Sequence, residues 1–176
     1  MNRMHVVLMS AILAFAGPAG AQSLEDWDAD GSGAVSQQEW TTGLDILGLF
    51  SDWDADGSGI VDEGEFAGGL FGRFDQDGDG ALTASEWDDG IDAWYGEEAV
   101  DLDFDAWNSD DDDMLSADEF TDSFRVSDLY ERFAAEANIT DPASGIGEDA
   151  FAPALFDWFD ADDDQEIAPG ESAWFG

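Results

Sequence analysis

The chain alternates between polar stretches of constant length and short connectors with helical apolar patterning. Five times a twelve-residue stretch rich in Asp, Gly and Ser is entered through an aromatic residue: Trp27, Trp53, Phe74, Trp107 and Phe159. Four of the stretches end on a second aromatic, at Trp40, Phe66, Trp87 and Phe120. The eighth position inside each is always apolar: Val35, Val61, Leu82, Leu115 and Ile167. Between the stretches, apolar residues recur at helical spacing. Trp40, Leu44, Leu47 and Phe50 predict one helix across 40–53. The connector 66–74 has room for one short helix, although Gly68, Gly69 and Gly72 each cost it up to about 1 kcal/mol against Ala. The interval 87–107 holds an exiting helix, a turn near Tyr95–Gly96 and an entering helix. The clearest helix is predicted over 120–137, where Phe120, Phe124, Leu129, Phe133 and Ala137 form one stripe and Asp128 and Arg132 form an i,i+4 pair. A last helix is expected over 148–159, a stub over 24–27, and no more than a turn over 172–176.

The polar stretches carry chemistry at fixed offsets. In 75–86, Asp75, Asp77 and Asp79 stand at positions one, three and five, Gly80 at six, Thr83 at nine and Glu86 at twelve. A hard divalent cation takes six to eight oxygens, and short carboxylates on alternate residues can converge on one. The Ala81 carbonyl at position seven supplies another oxygen, and Glu86 closes the shell with two. The stretch 28–39 offers Asp28, Asp30, Ser32, the Ala34 carbonyl, Ser36 and Glu39. The stretch 54–65 offers Asp54, Asp56, Ser58, the Ile60 carbonyl, Asp62 and Glu65. In 108–119 the candidates are Asn108, Asp110, Asp112, the Met114 carbonyl, Ser116 and Glu119. In 160–171 they are Asp160, Asp162, Asp164, the Glu166 carbonyl and Glu171. The last two replace the turn glycine with Asp113 and Gln165, and a left-handed turn disfavours Gln more than Asp.

On these residues the chain resembles the EF-hand family over nearly all of its length beyond residue 21. The resemblance implies an all-α fold of helix–loop–helix repeats, with short β-bridges between paired loops, that binds calcium at up to five sites. Two loops joined by one shared helix lie at its opposite ends and cannot pair side by side. The loops 75–86 and 108–119, with 21 residues between them, are therefore the expected pair, and the sequence does not assign partners to the others. The segment 138–147 reads either as a linker or as a decayed sixth hand. Ser144-Gly145-Ile146 echoes Ser58-Gly59-Ile60, and Phe151 follows as Phe66 does. Thr140, Pro142 and Ala150 would then fall at the first, third and last positions, so no metal is expected there.

Residues 1–21 read as a secretory signal peptide: Arg3, an apolar run over 6–16, Gly17–Pro18, and a small-residue site at Ala19-Gly20-Ala21. Eleven apolar residues are too few to span about 30 Å of hydrocarbon. The expected destination is the periplasm or the exterior of a bacterial cell. The remainder divides into 22–94, with three loops, and 95–176, with two; a pairing of 75–86 with 108–119 would straddle that division.

Charge sharpens the picture. Beyond the leader, three arginines face 44 acidic residues, and there is no Lys, His or Cys. Disulfides and imidazole- or thiolate-based zinc, copper and iron sites are excluded. Twenty-four of the acids fall in the five loops, about twice the density elsewhere, as ligand clusters would. Nucleic acid and anionic membranes are poor partners for this charge. No residue stands out as a base or nucleophile, so an enzyme is not expected. The apolar set is Phe and Trp at core-like positions, with Met114 the sole Met outside the leader, so a buffer or metal-stabilised scaffold is expected over a sensor with a Met-rich groove. A protein partner engaged only with calcium is an alternative. So is lanthanide binding: the compressed loop spacing and export signal resemble the lanmodulin type of EF-hand protein. That type has Pro at the second loop position, where this chain has Ala29, Ala55, Gln76, Ser109 and Ala161.

Overall fold

The structure is a computed structural model that describes residues 23–95, 102–110 and 112–171. The expected signal peptide, the turn at Gly96 and the segment 172–176 lie outside these residues. The elements are all-α, organised as EF-hand helix–loop–helix repeats. They run α1 (Leu24–Trp27), β1 (Val35–Ser36), α2 (Gln37–Leu47), α3 (Leu49–Trp53), β2 (Ile60–Val61), α4 (Glu63–Phe74), β3 (Ala81–Leu82) and α5 (Ala84–Tyr95) in the first half. They continue with α6 (Phe104–Trp107), β4 (Leu115–Ser116), α7 (Ala117–Phe124), α8 (Leu129–Glu136), β5 (Ile146–Gly147), α9 (Glu148–Phe159) and β6 (Glu166–Ile167).

The six strands form three antiparallel bridges, and their order is nested: β1 with β6, β2 with β5, β3 with β4. The 75–86 and 108–119 loops are joined, Leu82 facing Leu115. The 28–39 loop joins 160–171, Val35 facing Ile167. The 54–65 loop joins the sixth segment, Val61 facing Ile146 and Ile60 facing Gly147. Of the two readings of 138–147, the decayed hand is the one the bridge supports, shifted by one residue: Ile146 takes the place of Val61 rather than of Ile60. No bridge joins two loops that share a single connecting helix, as the reach of a helix requires. All three bridges tie a loop before residue 95 to one after residue 101.

Two connectors read as single helices are broken. The 40–53 segment splits at Gly48, which adopts φ 69° and caps α2. The 120–137 segment splits at 125–128, where Ser127 Oγ donates to the Phe124 carbonyl at 2.6 Å and then accepts the Leu129 N–H at 3.3 Å. A serine that offers the backbone a local partner competes with the helix ladder. Val126, 87% exposed at the break, adds little burial to oppose it. The Arg132–Asp128 pair forms at 3.1 Å on the surface, worth a few tenths of a kcal/mol.

One aromatic cluster runs from Trp27 to Ile167 and draws on both halves. All the loop-flanking aromatics and all five position-eight residues are buried in it. Three helical glycines have a packing role that propensity alone does not show. A Cβ on Gly43 would lie 2.4 Å from Trp27, one on Gly69 2.2 Å from Trp53, and one on Gly90 2.3 Å from Phe74. In the first three loops the entering aromatic therefore lies on a glycine four residues past that loop's closing Glu. The fourth loop has Ser123 at this offset.

Candidate metal centres

Each loop is built from its two ends. At the opening end, the position-one carboxylate gathers backbone N–H groups from the turn. Asp28 accepts from Gly31 at 2.9 Å, Ser32 at 3.0 Å and Gly33 at 2.8 Å. Asp75 accepts from Gly78, Asp79 and Gly80 at 2.8, 3.1 and 2.9 Å. Asp54 accepts from Ser58 and Gly59, both at 2.9 Å, and Asp160 from Asp164 at 3.1 Å and Gln165 at 2.9 Å. The Gly33 N–H, against the burial of the group and with help from Ser32 and Gly31, holds the Asp28 carboxyl below its ordinary range.

Position six takes the left-handed turn in every loop, glycine or not: φ is 99° at Gly33, 83° at Gly59, 89° at Gly80, 71° at Asp113 and 72° at Gln165. The two glycine-less loops keep the loop backbone and carry strain of about 1–3 kcal/mol at that residue.

At the closing end of the first four loops, the position-twelve Glu doubles as the capping residue of the exiting helix. Glu39 accepts from the Ser36 N–H at 2.9 Å and hydroxyl at 2.7 Å, and reaches back to the Ala29 N–H at 2.8 Å. Glu86 accepts from Thr83 N–H and hydroxyl at 2.9 and 2.8 Å and from Gln76 N–H at 3.1 Å. Glu119 accepts from Ser116 N–H and hydroxyl at 3.0 and 2.7 Å, and from Ser109 N–H and hydroxyl at 2.9 Å each. Glu65 accepts from the N–H groups of Asp62 at 3.0 Å and Asp56 at 3.1 Å. This is the reciprocal capping box. Ser36, Asp62, Thr83 and Ser116, candidate ligands by their loop position, also orient the closing Glu. The signal was in the sequence, as Ser, Thr or Asp three residues before Glu. In 160–171 position nine is Ala168, which gives Glu171 only its N–H, at 2.6 Å.

The Ser116 hydroxyl and then its N–H hold the Glu119 carboxyl at about 2. The Thr83 N–H likewise holds Glu86 below its usual value. For Glu39 burial pushes upward, and the Ser36 hydroxyl and N–H outweigh it.

The predicted ligands converge. Carboxylate oxygens of Asp28, Asp30 and Glu39 lie within 4.8 Å of one another, as do those of Asp54, Asp56 and Glu65, of Asp75, Asp77 and Glu86, and of Asp160, Asp162 and Glu171. The other predicted side chains stay close to the backbone: the Ser32 and Ser58 hydroxyls donate to the Ala34 and Ile60 carbonyls at 3.0 Å. Asp79, Asp112 and Asp164 each accept an N–H from position seven, that of Ala81, Met114 or Glu166, at 3.0 Å. In 108–119 the first position is Asn108, and among the described residues no group of three carboxylates gathers there. Instead Asn108 Oδ1 is buried with no hydrogen-bond partner, an acceptor that a cation would satisfy. Burial, and then the charges of Asp112 and Glu119, push Asp110 upward.

All-oxygen donor sets of carboxylates, carbonyls and one amide fit a hard, oxygen-seeking divalent cation and no softer metal. Helix, acidic twelve-residue loop and helix, with the loops bridged in antiparallel pairs, define the EF-hand architecture. No family model and no curated protein matches the chain. A solved structure of a homolog of programmed cell death 6 protein from Leishmania major Friedlin matches at 19% identity, over 78% of this chain and 90% of that chain, with a TM-score of 0.27. So loose a superposition leaves the loops themselves to carry the functional reading. Among the described residues no helix is long and apolar enough to cross a membrane.

Proposed function

We propose that this is an exported bacterial calcium-binding protein that loads up to five ions, one in each of the loops 28–39, 54–65, 75–86, 108–119 and 160–171, and serves as a buffer or metal-stabilised scaffold rather than an enzyme. The convergence of three carboxylates in four separate loops carries this reading. The unpartnered Asn108 Oδ1 supports the fifth site. When bound, the ion supplies the positive charge that lets these carboxylates share one position. The chain's own residues orient the donors through the N–H groups of the turn and the capping box. Export rests on the leader sequence. The buffer role rests on burial: the aromatic residues flanking the loops are in the core, and among the described residues the large apolar groups left exposed are Ile46, Leu47, Ile60 and Val126.

Equilibrium dialysis of the purified protein tests the reading. Five calcium ions at saturation are expected, and two or fewer would overturn it. Competition with lanthanum in the same cell measures the preference between the two hard cations, and fractionation with N-terminal sequencing tests the leader.

A further inference from the structure

The bridges do more than hold the loops together. Position seven of one loop, whose carbonyl is a proposed ligand, faces position nine of its partner, whose residue holds the partner's closing Glu. Glu166 faces Ser36 across β1–β6, and Ser36 gives its hydroxyl and N–H to Glu39. Ala81 faces Ser116 across β3–β4, and Ser116 gives its hydroxyl and N–H to Glu119. Ordering the backbone at one site therefore orders the clamp on the closing ligand of the other.

The third bridge breaks this chain. Ile60 faces Gly147, which caps α9 without any side-chain hydrogen bond, and the residue three further on is Ala150. The 54–65 loop has a partner with no closing Glu to clamp. That partner is also pressed close. A Cβ on Gly145, at φ 69°, would meet the Ile60 side chain at 2.5 Å and the Val61 carbonyl at 2.8 Å. The close approach constrains Ile60 and Val61 through protein atoms rather than through an ion. The 54–65 loop also faces a segment with no candidate ligand carboxylates, whereas each of the other four faces a loop that carries them.

Resting on the calcium reading above, we propose that the 54–65 loop is a lone site that fills first and independently, while the other four fill as two coupled pairs, 28–39 with 160–171 and 75–86 with 108–119. The chain thus combines one independent anchor site with two coupled two-ion units, one of which joins the first and last of the described strands. Pre-ordering lowers the conformational cost of binding at 54–65. Like-charge repulsion across a bridge falls when the first ion of a pair binds, which favours the second.

The amide signals of Gly33, Gly59, Gly80, Asp113 and Gln165 report the five turns in a calcium titration followed by nuclear magnetic resonance. Gly59 is expected to move first, Gly33 and Gln165 to share a midpoint, and Gly80 and Asp113 to share another. Glu171→Gln raises the Gly33 midpoint at least threefold and leaves Gly59 unmoved. Because coupling between sites is reciprocal, Glu39→Gln raises the Gln165 midpoint in the same way. Gly145→Ala raises the Gly59 midpoint alone. A Gly33 midpoint unmoved by Glu171→Gln, a Gly59 shift as large as that of Gly33, or Gly59 filling last would overturn the proposal. Five amides that respond to calcium independently sink the coupling and leave calcium binding intact, whereas no response at any of them sinks the calcium reading itself.

Discussion

The loops 75–86 and 108–119 face each other across one bridge and reach the same shape by different chemistry. Their closing halves match: Glu86 and Glu119 are each clamped by a hydroxyl and N–H at position nine and by N–H groups at positions two and three. Their opening halves do not. Asp75 is satisfied by three turn N–H groups, while Asn108 leaves a buried oxygen with no partner. Gly80 takes the left-handed turn without strain, and Asp113 takes it at a cost. The closing half is thus set by helix capping, which needs no ion. The opening half is where an ion and the backbone share the work, and where the two loops should differ in affinity.

The largest effect expected is that of removing calcium from every loop. A ligand at a hundredfold excess over its Kd contributes about 2.7 kcal/mol per site. Five such sites would contribute on the order of 10 kcal/mol, comparable to the whole stability of a typical domain. The formal net charge of −40 adds self-repulsion that only bound cations relieve at close range. Chelation is expected to leave an expanded, partly helical chain. Calcium should restore compactness with a large change in Trp emission, since Trp27, Trp40, Trp53, Trp87 and Trp107 are core residues beside loops. Equal near-ultraviolet circular dichroism and equal thermal midpoints with and without chelator would show the ion to be incidental.

Glu86→Gln and Glu119→Gln come next and should behave alike, because the two closing halves match. Each is expected to weaken its own site tenfold or more, about 1.4 kcal/mol. A Glu119→Gln protein that loads the same number of ions as the wild type, at the same concentration, would remove 108–119 from the set of sites.

The periodic parts of this architecture were legible in the sequence. Twelve-residue spacing, flanking aromatics and the apolar eighth position fixed the loops, and the reach of a single helix ruled out pairing between neighbours joined by one. What was not legible depended on distant segments. The bridge between Val35 and Ile167 joins the first and last of the described strands, and no local pattern specifies it. The break at 125–128 was hidden because Phe120, Phe124, Leu129 and Phe133 keep an apolar stripe through it, while Ser127 breaks the ladder. Gly69 reads as a weak helix former until Trp53 is seen lying on it. The double role of Ser36 and Ser116 was hidden by the loop pattern itself, which offers position nine as a ligand before the capping box is considered.

Opening-half substitutions sharpen the comparison at smaller amplitude. Asn108→Asp makes the fourth loop resemble the third and should tighten its calcium binding by roughly three- to tenfold, about 1 kcal/mol, the new carboxylate's attraction for the ion being partly offset by repulsion from Asp110 and Asp112. Calorimetry on the variant would show no gain if the buried Oδ1 does not face the ion. Gln165→Gly relieves the turn at 72° and is expected to stabilise the calcium form by about 0.5–1 kcal/mol, the added freedom of glycine in the unfolded chain offsetting part of the relief. Gly80→Ala, at a turn of 89°, should do the opposite.

The smallest effect is a dependence on pH at the closing half. Ser116 holds the Glu119 carboxyl at about 2, against 4.5 for the free group. A folded value below the unfolded one means that the unfolded chain binds more protons between these limits. The stabilisation is therefore complete above the unfolded value and is lost as pH falls toward the folded one. Glu119 is solvent-accessible, so screening keeps the amplitude modest. Ser116→Ala removes the hydroxyl that contributes most to the shift and also the helix cap, together about 1 kcal/mol. Followed as the helical signal of the metal-free protein, the thermal midpoint of the variant should lie below that of the wild type at neutral pH. The gap should narrow as pH falls from about 4.5 toward about 2, where Glu119 is protonated folded or unfolded and only the cap remains lost. A gap of constant size across that range would mean that the hydroxyl acts through the helix cap alone, and that the charge on Glu119 gains nothing from it.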